Sequence, residues 1–127
     1  MVARAPRFLL VTASLLQVLG GVAHTAAFHR ARTAIETSNS PPFFGKSCKA
    51  LWLADSTTIF ILAVVFGLFA VRPSVATRPV VVLLALIPAA IAVLIYTFLG
   101  SFFAGHILLA TPAAVLLAGL QFPGSRT

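Results

Sequence analysis

The chain has 127 residues, 60% of them hydrophobic and only 9% charged, with a formal net charge of +7. A soluble domain carries roughly 25% charged residues, and a chain this short has too little interior to hide so much apolar surface. A water-soluble globule is therefore excluded in favour of a chain covered by lipid. The basic residues flank apolar runs and form no stripe interleaved with aromatics, so no nucleic-acid partner is expected.

The first apolar run, residues 8–28, follows Arg4 and Arg7. It is longer than the roughly 7–15 residues of a signal-peptide core, and Thr25-Ala26-Ala27 makes a poor cleavage site, so the run is expected to stay as a helix. Ala13, Gln17, Gly21 and His24 recur at helical spacing and share one face. Small and polar residues on one side of a membrane helix face other helices.

Residues 29–49 are expected to be the longest loop. Glu36-Thr37-Ser38-Asn39-Ser40-Pro41-Pro42 is polar and turn-forming. Arg30, Arg32, Lys46 and Lys49 lie here as headgroup anchors. Cys48 is the only cysteine and is expected to be a semi-buried side chain without a disulfide.

The second run, residues 50–71, places Trp52 at interface depth and opens on Asp55-Ser56-Thr57-Thr58. The short connection 72–78, with Arg72-Pro73 and Arg78-Pro79, is expected to make the second and third spans antiparallel neighbours. From Pro79 to Phe122 no residue is formally charged. That is twice the about 20 residues one crossing needs, and it reads as spans 79–98 and 102–122 with a turn at Leu99-Gly100-Ser101. Ala85, Ala89, Ala92 and Tyr96 align on the third span, with Pro88 expected to kink it. His106, Ala110, Ala113 and Leu117 align on the fourth.

The fold class is thus an all-α integral membrane protein: four transmembrane helices in an antiparallel up-down bundle, as one domain. In plan it is similar to small bacterial four-span membrane proteins, which points to a bacterial cytoplasmic membrane. Arg4, Arg7, Arg72, Arg78 and Arg126 against the four cations of the long loop favour both termini inside.

Up-down topology puts His24, Asp55, Tyr96 and His106, one per helix, at similar depth in one leaflet. Asp55 is the only carboxylate in any span, and an ionisable group there needs a partner. Three roles are open to the cluster. His24, Asp55 and His106 are suitable ligands for a metal ion with one open position. The four together make a site for a small polar ligand, with Phe102, Phe103 and Trp52 as apolar walls. They also suit a proton or solute pathway. Against these stands a structural role, in which Asp55 caps the second helix and the histidines tie helices together. Gln17 is expected in helix–helix hydrogen bonding. Ser56, Thr57 and Thr58 lack a G-x-S-x-G context, so no nucleophile is assigned and catalysis is not favoured. The leading expectation is a structural or accessory subunit of a membrane complex, in contact with lipid and with other membrane subunits or copies of itself.

Overall fold

Polar backbone is satisfied within each helix, and helix is what the apolar runs form in the computed structural model of the chain. Its elements are α1 (Arg4–Glu36), α2 (Pro42–Val71), α3 (Arg78–Leu99) and α4 (Phe103–Leu120), with a 3₁₀ turn at Pro73–Val75. The structure describes residues 4–101 and 103–122, the side chains of Phe103 and Ala104 excepted. Among these residues there is no strand. α1, α2 and α3 are long and apolar enough to cross a membrane. α4, at 18 residues, is shorter, about 27 Å at 1.5 Å per residue.

The expected loop 29–49 is mostly helix, and only residues 37–41 connect α1 to α2. Arg, Ala and Glu are good helix formers, and Arg32 and Glu36 meet one turn apart at 2.8 Å. Pro42 occupies the first turn of α2, where its missing N–H is no loss. Because α2 starts there, Asp55 lies well inside the helix and is not its cap. The turn between α3 and α4 falls where expected: α3 ends at Leu99, and Gly100 takes φ +74°.

The helices pack in the order α2, α1, α4, α3. α1 lies against α2 and α4, and α3 against α4, while α2 and α3 share at most a marginal contact. The expectation that the short connection makes α2 and α3 neighbours is therefore corrected. Residues 72–77 can reach about 20 Å when extended, twice the 8–10 Å between packed helix axes. The connection permits neighbours without imposing them.

Small residues decide which helices meet. In lipid there is little hydrophobic drive between apolar helices, so close packing takes over. A Cβ on Gly21 would stand 3.0 Å from the Phe60 ring, and one on Gly67 would stand 3.2 Å from Ser14 Oγ. These contacts join α1 to α2. A Cβ on Gly119 would stand 3.2 Å from Val81 and Val82, at the α3–α4 seam. The core gathers at one end of the bundle, where Leu10, Phe66, Val81 and Val115 are fully buried. On α1 the expected face holds: Ala13, Gln17 and Gly21 are buried. On α4 it does not. His106, Ala110, Ala113 and Leu117 are exposed, and the packed face carries Gly105, Thr111, Ala114, Val115, Ala118 and Gly119. Gly119 on that face admits the Val81 and Val82 side chains of α3.

Candidate functional site

The four expected site residues separate into two pairs. His24 meets Asp55 between α1 and α2, with Nε2 3.4 Å from Oδ2. Tyr96 meets His106 between α3 and α4, with Oη 2.7 Å from Nδ1. Among the described residues no three His, Cys, Asp or Glu side chains come together as metal ligands. The structure thus does not assemble the expected trio of His24, Asp55 and His106. The physical reason is the packing order, with His106 on the outward face of α4.

Around His24 the α1–α2 seam is densely bonded. His24 Nδ1 lies 2.9 Å from Ser56 Oγ. The Ser56 hydroxyl also donates to the Trp52 carbonyl at 3.1 Å. Trp52 Nε1–H donates to the His24 carbonyl at 3.0 Å, and the two rings stack with centroids 4.4 Å apart. Trp52, Asp55 and Ser56 stand at i, i+3 and i+4, so one face of α2 presents all three to His24. About two to three turns away, Ser14 donates to the Ala63 carbonyl at 2.8 Å and continues the seam.

A proton count limits the states of this set. Ser56 has one proton. If it donates to Trp52, its oxygen accepts from His24 Nδ1–H. Nε2 then either donates a second proton to the Asp55 carboxylate or accepts one from the Asp55 acid. The His24 and Asp55 side chains are 27% and 33% exposed, so the pair is open to one side. Ser56, His24 and Asp55 share the connectivity of a hydrolytic triad. Ser56 is nonetheless buried inside a helix whose N–H groups are engaged in its own ladder, which provides no donors for an oxyanion.

His24 and Asp55 form one end of a groove of about 550 Å³. Ala31, Ala34 and Ile35 of α1 and Cys48, Leu51 and Trp52 of α2 line the rest. Cys48 is half-buried there. Beyond the groove, Glu36 takes Arg32 Nε at 2.8 Å and Lys49 Nζ at 3.2 Å, which joins the two helix ends. The Arg32 hydrogen bond first, and Lys49 next, hold the Glu36 carboxyl below its ordinary value of 4.5.

The second pair is simpler. His106 is exposed, its ring tilted 52° to that of Tyr96. Ser101 Oγ stands 3.5 Å from His106 Nε2. The Tyr96 ring packs over Gly105, where a Cβ would make an ordinary contact at 3.4 Å. The expected walls Phe102 and Phe103 have side chains outside the described residues, as does Arg126. Gln17 is buried, but among the described residues its Nε2 has no hydrogen-bond partner, unlike the helix–helix bond expected of it. Ser56, Thr57 and Thr58 each bond a carbonyl four residues back, as expected for hydroxyls inside a helix.

Ser56 is the partner that sequence reasoning did not join to His24, and Trp52, expected as an apolar wall of the cluster, stacks on the His24 ring and bonds its carbonyl. The signal was available in the spacing of Trp52, Asp55 and Ser56 on one helix face. No family model, curated protein or solved structure matches this chain.

Proposed function

We propose that the chain is a four-span membrane protein acting as a structural or accessory subunit of a membrane complex. The observation that carries this reading is the open packing order. α2 and α3 lie at the two ends of the row and keep broad apolar faces uncovered. Ile61, Val64 and Leu68 on α2 and Leu83, Leu86 and Val93 on α3 are all exposed. In a bilayer such faces meet lipid or the helices of other subunits, including further copies. α4 completes an even number of crossings, with both termini on the cytoplasmic side of a bacterial membrane. The polar side chains in this reading serve mainly as fasteners: His24, Ser56 and Trp52 tie α1 to α2, and Tyr96 with His106 ties α3 to α4.

The arrangement also implies a projecting hairpin. α1 has 33 residues, about 50 Å of helix, against a hydrocarbon core of about 30 Å. Its apolar run ends at Phe28, so the last eight residues stand about 12 Å beyond the hydrocarbon. His24 and Asp55 then lie just inside the boundary, with the groove leading outward from them.

Purification in a mild detergent followed by native mass measurement tests the subunit reading. A defined hetero- or homo-complex is expected, and a uniform monomer that no crosslinker joins to another chain refutes it. Cysteines introduced by Ser38→Cys and Ser101→Cys should label from one side of the membrane, and Ser74→Cys from the other.

A second reading is favoured by one observation of its own. The His24–Asp55 pair is partly exposed and faces an open, largely apolar groove between α1 and α2. In this reading the α1–α2 groove holds a small organic ligand. The Asp55→Ala variant discriminates: loss of binding with folding kept supports a ligand, whereas loss of stability alone supports a fastener.

A further inference from the structure

We propose that the α1–α2 groove selects an organic ammonium with an apolar body, its charged end at Asp55. This rests on the ligand reading of the groove and adds the chemical class. The groove lining contains no lysine or arginine, and its formally anionic residue is Asp55. The carboxylate is poorly satisfied by the protein: among the described residues its only polar contact is His24 Nε2, at 3.4 Å. An ionised carboxylate has room for about four donors. A primary ammonium brings a full positive charge and N–H donors to the carboxylate, whereas a hydroxyl brings no charge and a second carboxylate no donor.

The rest of the groove suits the remainder of such a molecule. Ala31, Ala34, Ile35 and Leu51 offer apolar walls without hydrogen-bonding side chains. Trp52 lines the same groove, and indole is the aromatic ring that best accepts an organic cation. Two of the cations on the projecting helix ends, Arg32 and Lys49, are turned to Glu36 at 2.8 and 3.2 Å. Their charge is therefore partly answered before a ligand arrives.

The test uses the full chain in phosphatidylcholine nanodiscs. Trp52 is the sole tryptophan, so its fluorescence reports the groove directly. Octylammonium, octanol and octanoate are titrated as probes with the same tail and different ends. Octylammonium is expected to give a saturable change at least tenfold tighter than the other two. Asp55→Asn should erase that preference. Ala34→Leu should fill the groove and remove the saturable change with the His24–Asp55 pair intact, so the case stands even if the Asp55 variant folds poorly. Equal binding of the three probes, or an unaltered preference in Asp55→Asn, overturns the ammonium class and leaves the groove as a ligand site. A saturable change that survives Ala34→Leu places binding elsewhere and overturns the proposal. No saturable change with any probe overturns both the class and the ligand reading.

Discussion

Replacing His24 by alanine separates a fastened α1–α2 seam from two helices that merely lie side by side. The substitution removes the hydrogen bond to Ser56 at 2.9 Å and the stack on Trp52 at 4.4 Å. It leaves the bond from Trp52 to the backbone carbonyl of residue 24. An interhelical hydrogen bond in a membrane protein averages about 0.6 kcal/mol, with a maximum near 1.7. A stacked aromatic pair adds about 0.5–1.5 kcal/mol. The contact with Asp55 at 3.4 Å is long and partly exposed, so nothing is added for it. The expected loss is about 2 kcal/mol, close to a 30-fold fall in the folded-to-unfolded ratio. Unfolding in mixed micelles with rising SDS, followed by far-UV circular dichroism, measures it without relying on the altered Trp52 environment. Tyr96→Phe provides the scale, since it removes one exposed hydrogen bond and should cost no more than about 0.6 kcal/mol. A His24→Ala loss below about 0.5 kcal/mol, or no larger than that of Tyr96→Phe, refutes the fastening role.

Two adjacent glycines should respond differently to an added side chain. Gly21→Val should cost about 1–3 kcal/mol by overpacking, because its Cβ meets the Phe60 ring at 3.0 Å and Ile59 at 3.2 Å. Gly20→Ala has nothing within 4 Å and should be neutral or stabilising, so equal effects in the same SDS titration would count against the packing. The tie across the hairpin end should depend on pH with a definite sign. Glu36 has its folded value depressed below 4.5, so its contribution is present above that value and is lost as pH falls through the folded one. Amide exchange of residues 29–49, corrected for intrinsic rate, should rise on acidification below pH about 4.5 and lose this dependence in Glu36→Gln.

Much of the fold was legible because lipid imposes a simple rule. Long uncharged runs cannot be loops in hydrocarbon, and the expected spans 50–71 and 79–98 fall within α2 and α3. The turn at Gly100 was legible for a local reason: a break in the apolar run with a residue free to take positive φ. The helical extension of α1 to Glu36 and the start of α2 at Pro42 were missed. Polar residues outside lipid can form either loop or helix, and the Arg32–Glu36–Lys49 contacts that favour helix span two segments.

The candidate site was half legible. His24 and Asp55 were named as partners, and they meet. Their link to Ser56 and Trp52 was readable from the i, i+3, i+4 spacing but only with α1 placed opposite. Tyr96 and His106 also meet, yet away from the first pair. On α4 two stripes of small residues competed for the inward position. Sequence spacing shows which residues share a face and not which face is turned inward.

By itself, then, the order of residues determined that the chain is helical, apolar enough for lipid, and sparing with charge between Pro79 and Phe122. Those properties depend on local hydrogen bonding and on transfer from water, and neither needs a neighbour. Tertiary structure alone decided that α1 lies between α2 and α4, that α2 and α3 stay apart, and that four polar residues form two pairs. Those outcomes depend on where glycines such as Gly21, Gly67 and Gly119 let one helix approach another, which is a property of two surfaces together.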